Sequence, residues 1–83
     1  MQERRSNWQT AAWSLWTLQR HGREVQCIVG LGANGFQTRF VYNGQLISEY
    51  MSDNWLEAAR LASERRNELE AEGWMSDGRR TIQ

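Results

Sequence analysis

The sequence has no lysine, no proline, one cysteine, one histidine and no long apolar run. The lone Cys27 cannot close an intrachain disulfide, so nothing marks the chain as secreted. One histidine and one cysteine cannot build a structural zinc site within one copy. No apolar stretch approaches the ~20 residues of a membrane span. The polar start Met1-Gln2-Glu3-Arg4-Arg5 leads into no signal-peptide core, so a cytoplasmic protein without a membrane partner is expected. Charge of one sign is also missing, since ten arginines balance ten acidic residues. That balance removes the attraction on which sequence-independent nucleic-acid and anionic-membrane binders rely. With 83 residues the chain supports one domain. At that size folding buries only about 60% of the unfolded surface, which leaves no room for a deep cleft between domains.

What is present reads as strands followed by a helix. Residues 1–11 carry no sustained period and are expected to form a flexible arm, and 75–83 a flexible tail, on either side of one α+β domain over 12–74. β-Branched and aromatic residues recur between turn signals in four segments, 12–20, 24–31, 36–43 and 45–51. A two-residue loop at His21-Gly22 sets Arg20 opposite Arg23, Leu18 opposite Val25, Trp16 opposite Cys27 and Ser14 opposite Val29. Asn43-Gly44 is the strongest short hairpin signal, because both central residues of a type I′ turn need positive φ. Counting outward from it pairs Phe40 with Ile47 and Phe36 with Met51 on one side, and Val41 with Leu46 and Gln37 with Tyr50 on the other. Gly32-Ala33-Asn34-Gly35 joins the two hairpins as direct neighbours.

Ser52-Asp53-Asn54 offers three good N-caps, and Asn54 with Glu57 has capping-box spacing. Trp55, Ala58, Ala59, Ala62 and Leu69 then share a helical face, with Leu61 at its margin. Gly73 in the left-handed position would close the helix, with Trp74 meeting Leu69 in a Schellman motif, so the helix should run over about 53–72. The expected fold is therefore ββββα: a four-stranded antiparallel β-meander with one C-terminal α-helix packed across one sheet face.

Strand alternation sorts the side chains. Trp16, Leu18, Val25, Cys27, Val29, Phe36, Phe40, Ile47 and Met51 should face the helix. Trp13, Leu15, Thr17, Gln26, Ile28, Gln37, Arg39, Val41, Leu46, Ser48 and Tyr50 should face away. A solvated face alternates to polar residues, yet this one is about half apolar or aromatic. Such a patch marks either a partner surface or a seat for the N-terminal segment through Trp8. The candidate partner-binding residues are Trp13, Leu15, Ile28, Arg39, Val41, Leu46 and Tyr50, and the simplest partner is a second copy in a homodimer.

Nucleic acid is the alternative partner. Aromatics on a sheet with interleaved arginines stack bases and hold phosphates, which would use Trp13, Arg39 and Tyr50. Residues 1–44 hold five arginines against Glu3 and Glu24, whereas residues 45–83 hold five against eight acids, so the sheet half is positive and the helix half negative. Arginine serves phosphate well, although the absence of lysine weakens the case. Catalysis has less to stand on. His21 sits in a turn with no nucleophile placed by spacing, and Cys27 falls on the helix-facing side, where a thiol behaves as a small hydrophobe. Gly30-Leu31-Gly32-Ala33-Asn34-Gly35 matches G-x-G-x-x-G, but a strand follows it instead of the phosphate-cradling helix. No catalytic residue, cofactor, metal or small-molecule substrate is indicated.

The run from Gly35-Phe36 through Asn43-Gly44 to Glu57-Ala58-Ala59 places a strand, a glycine turn, a strand and an alanine-rich helix in order. In this it resembles the small sheet-plus-helix arm-binding domains of phage-type integrases. The order of four strands and then a helix is similar to that of Pur-type single-strand nucleic-acid-binding repeats. Both resemblances concern element order over part of the chain; they imply nucleic-acid binding and transfer no site residue. The leading expectation is a non-enzymatic dimerisation or protein-interaction module using the outer sheet face.

Overall fold

A computed structural model describes residues 12–76; the expected arm with Trp8, and residues 77–83 of the expected tail, lie outside the described residues. The elements are β1 (Ala12–Arg20), β2 (Arg23–Gly32), β3 (Gly35–Tyr42), β4 (Gln45–Ser52), α1 (Trp55–Ala71) and β5 (Met75–Ser76). They form one antiparallel sheet in the order β4-β3-β2-β1-β5 with the helix on one face. The meander and its helix are as expected. The fifth strand is not: Met75 and Ser76, placed by sequence in a tail, pair with Gln19 and Leu18 of β1.

Both hairpins are set by their turn residues. His21 and Gly22 have φ of 52° and 77°, and Asn43 and Gly44 have 48° and 85°, the left-handed pair that a type I′ turn requires. Asn43 is also a clasp. Its Oδ1 accepts from the Glu24 N–H at 2.9 Å, while its own N–H donates to the Glu24 carbonyl at 2.9 Å, lengthening the β2–β3 ladder by one pair. At the third turn Gly35 has φ of 125°, and a methyl group there would collide with the Ser52 carbonyl oxygen.

Next to the turns the registers are those the loop lengths dictate, with Arg20 opposite Arg23, Leu18 opposite Val25, Trp16 opposite Cys27 and Val41 opposite Leu46. Farther out, two bulges change them. β1 shifts between Ser14 and Trp16, so Ser14 meets Ile28 and Trp13 meets Val29. β4 shifts opposite Phe40 and Val41, so Phe40 meets Ser48, Thr38 meets Tyr50 and Gln37 meets Met51. An extra residue reverses every face assignment beyond it. Trp13, Ser48 and Tyr50 therefore lie on the helix side, Met51 lies on the outer side, and Ile47 is exposed at its bulge. Leu15, also expected outside, packs beside Trp16 against the core.

The core is small. Leu18, Val25, Cys27, Val29 and Phe40 from the sheet are buried, together with Ala58 and Ala62, the two buried residues of the helix. Alanines let the helix backbone come close enough for the Trp16 indole N–H to donate to the Ala62 carbonyl at 3.1 Å. Rings fill the margins: Trp16 lies 6.0 Å from Phe40, Trp13 lies 6.0 Å from Trp55, and Phe36 lies 5.9 Å from Trp55.

The helix starts and stops where its caps dictate. Asn54 Oδ1 accepts from the Glu57 N–H at 2.9 Å, while the Glu57 carboxylate turns to Arg60 instead of completing a capping box. At the other end the Trp74 N–H donates to the Leu69 carbonyl at 3.0 Å and the Gly73 N–H to Glu70 at 3.1 Å, the Schellman pattern, with Gly73 at φ of 103°. The Trp74 ring packs edge-on against Tyr42 at 6.3 Å. The last helical turn has no basic residue of its own. Arg20 of β1 lies over Gly73, where a methyl group would come within 3.2 Å of its Nε, and brings positive charge to the helix C-terminus.

Thr38 Oγ1 and Ser52 Oγ are buried without a hydrogen-bond partner among the described residues. Thr38→Val, which keeps the shape and removes the hydroxyl, is expected to raise unfolding free energy by about 1 kcal/mol in a urea titration; an equal loss would show that the hydroxyl is satisfied. Gly35→Ala is expected to lower it by more than about 1 kcal/mol, since the backbone conformation and the Ser52 carbonyl both oppose a Cβ.

Candidate functional site

The helix covers one sheet face, and among the described residues nothing covers the other. Of the seven candidate residues, Ile28, Arg39, Val41 and Leu46 share that outer face, whereas Trp13, Leu15 and Tyr50 lie on the helix side. Ile28 stands between Ser14 of β1 and Arg39 of β3, and Val41 between Gln26 of β2 and Leu46 of β4. Met51 joins them from β4, opposite Gln37. Sequence alternation assigns Met51 to the wrong face because the bulge at Ile47 leaves no local signal.

Apolar and polar groups interleave on this face. Arg39 donates from Nε to Glu49 Oε2 at 3.1 Å and from Nη2 to Gln37 Oε1 at 2.6 Å, which ties three side chains into a row across β3 and β4. The Arg39–Glu49 pair is partly exposed, so its contribution to stability is at most ~1 kcal/mol. Its larger effect is to neutralise both charges at the middle of the face. Gln26 Nε2 donates to Ser14 Oγ at 3.4 Å between β2 and β1. A shallow recess of about 60 Å³ opens at Gly30, where the missing side chain leaves Ala12, Ile28, Gln37 and Arg39 around a depression. Leu46 and Met51 are 54% and 55% exposed, so the apolar weight of the face falls toward its β4 border.

Among the described residues the outer face carries no aromatic ring. Trp13 lies tilted against Trp55 at 6.0 Å, and Tyr50 meets Phe40 edge-on at 6.1 Å, both on the helix side. The set of Trp13, Arg39 and Tyr50 that would stack bases and hold phosphate is thus divided between two faces.

The groups with chemical reactivity lie apart. Cys27 is fully buried in the core beneath the helix, and burial pushes its thiol up to about 12. His21 is exposed in its turn, beside an open cleft of about 410 Å³ whose other walls include Arg20, Gly73 and Met75. Among the described residues no three His, Cys, Asp or Glu side chains come together as metal ligands. No helix among them is long and apolar enough to cross a membrane.

No protein-family model, curated protein or solved structure matches the chain.

The raised Cys27 pKa has a direct consequence. The folded state keeps its proton up to about pH 12, while the unfolded thiol releases it near its ordinary value of 9.0. Between those values the unfolded state binds fewer protons, so this contribution is fully present below pH 9 and is lost as pH rises, with a limiting slope of about 1.4 kcal/mol per pH unit. Denaturant titrations at pH 8 and pH 10 are expected to show that fall, and Cys27→Ala to flatten it. A thiol reagent that labels the native protein as fast as the denatured one would contradict the buried placement.

Proposed function

We propose that the protein is a small non-enzymatic module that dimerises or binds a protein partner through its outer sheet face, and that it works in the cytoplasm. One observation carries this reading: Ile28, Val41, Leu46 and Met51 share a face that no described element covers. Apolar residues on an uncovered face, most exposed here at Leu46 and Met51, support a partner surface, and a domain of this size gains core by packing against another chain. The internal pairing of Arg39 with Glu49 and Gln37 favours a protein partner over a polyanion, because the central cation already has anionic and amide neighbours. A role without catalysis is supported by the separation of Cys27, in the core, from His21, in an exposed turn. A reduced, unpaired thiol fits the cytoplasm.

The nucleic-acid alternative loses the platform it needs, since Trp13 and Tyr50 do not share a face with Arg39.

Sedimentation equilibrium is the test. Wild-type protein is expected to self-associate, and the Leu46→Ser, Met51→Ser double variant to bind itself at least tenfold more weakly while keeping its circular dichroism. A chain that stays monomeric and soluble at every concentration would remove self-association from this reading.

A further inference from the structure

The two ends of the sheet are unequal. β5 is two residues long, whereas β4, at the opposite edge, runs for eight residues from Gln45 to Ser52 and has no partner on its outer side among the described residues. Natural edge strands are blunted by lysine, proline, inward charges or bulges. β4 has the bulge at Ile47 and a single charge, Glu49, already paired with Arg39 at 3.1 Å. Leu46, Ile47, Tyr50 and Met51 are 40–57% exposed along it.

The backbone of this edge can be read from the ladder. A two-residue loop makes the flanking pair Gly32–Gly35 hydrogen-bonded, and bonded pairs then alternate. Gln37, Arg39 and Val41 therefore direct their backbone groups to β2, and Phe36, Thr38 and Phe40 direct theirs to β4. The Asn43 N–H bond to the Glu24 carbonyl continues the same alternation. Since Phe36, Thr38 and Phe40 meet Ser52, Tyr50 and Ser48, those three β4 residues spend their backbone groups on β3. Glu49 and Met51 are left with N–H and C=O pointing outward.

From this alternation we propose that β4 pairs antiparallel with β4 of a second copy, about a two-fold axis at Tyr50. This goes beyond the proposed role: it shares with it only self-association, and it moves the contact from the outer face to the β4 edge. The axis sets Glu49 opposite Met51 of the second copy, so outward-pointing groups meet one another and the two Glu49 charges do not. Tyr50 meets itself in a non-hydrogen-bonded pair, beside the groove of about 130 Å³ between Phe40, Leu61 and Arg65. An antiparallel two-fold of this kind keeps both helices on one side and gives a ten-stranded sheet. Leu46 and Met51 of both copies then line its opposite face. A short edge contact falls at the small end of stable interfaces, so the dimer forms in a concentration-dependent way.

Cross-linking of the full chain tests this, because the native thiol at Cys27 is buried and silent. Directly opposed Cβ atoms in such a pair are about 4.5–5.5 Å apart, close to disulfide reach. Tyr50→Cys is expected to form a disulfide dimer under mild oxidation. Leu46→Cys, whose counterparts would stand about 26 Å apart along the strands, is expected to form at least tenfold less. Met51→Pro removes one outward N–H and no β3 bond, and should weaken the dimer at least tenfold with an unchanged dichroism spectrum. Ile28→Glu, at the centre of the outer face, should leave it intact. If wild type dimerises but Tyr50→Cys cross-links no better than Leu46→Cys, edge pairing is overturned and face-to-face association stands. If wild type is a monomer throughout, both fall.

Discussion

Ala58 and Ala62 are the contact on which the rest of the structure depends. They are the buried residues of the helix, and they bring its backbone down onto Cys27, Val29 and Phe40. A helix seated on alanines contributes little apolar area of its own, so the sheet must supply the bulk. It does so with Phe40, Val29 and Cys27 beneath the helix and with Trp13, Trp16 and Phe36 around its margins, where Trp55 at the start of the helix meets Trp13 and Phe36. The close seat also lets Trp16 reach a main-chain carbonyl of the helix, which satisfies the indole N–H at the boundary of an otherwise apolar layer. Arg65 completes that margin, its guanidinium 5.3 Å from the centre of the Phe40 ring.

The same economy shapes the two sheet edges. Because the helix ends in a Schellman turn, the chain reverses at Gly73, lays Trp74 on Tyr42 and returns along β1. Arg20 stands over that turn and offsets the negative end of the helix, a charge the last helical turn does not provide. β1 is thereby paired at Leu18 and Gln19, and β4 has no partner on its outer side among the described residues. The balanced net charge is resolved locally in the same way. Arg60 pairs with Glu57 and Glu64, Arg66 with Glu70, and Arg39 with Glu49, so much of the charge is spent on neighbours. On the exposed helix each such pair is worth only ~0.2–0.5 kcal/mol.

How much was legible follows from the range of each signal. The hairpins at His21-Gly22 and Asn43-Gly44, the caps at Asn54 and Gly73, and the pairings within a few residues of each turn all depend on neighbours in sequence, and all appear in the fold. Leu15 and Ile47 show where that reading stops. At each, an extra residue breaks the alternation, and nothing in Ser14-Leu15-Trp16 or Leu46-Ile47-Ser48 distinguishes a bulge from a regular strand. Trp13 and Tyr50 consequently turn to the helix side, where Trp55 and Phe40 receive their rings, while Met51 turns out. The candidate surface kept Ile28, Arg39, Val41 and Leu46 because those residues lie between a turn and the nearest bulge, or on β2 and β3, which have none.

By itself, the sequence determined the α+β class, the order of the four meander strands and the helix after them, both hairpin turns and the residues that cap the helix, since each is decided by backbone preferences that act over a few residues. The tertiary structure alone decided that Trp13 and Tyr50 turn to the helix side, that Met75 and Ser76 pair with β1 as a short strand, and that β4 has no outer partner among the described residues. Those outcomes depend on where a bulge relieves packing against the helix and on where the chain lands after Gly73. Both are settled by contacts between residues far apart in sequence, and no local pattern records them.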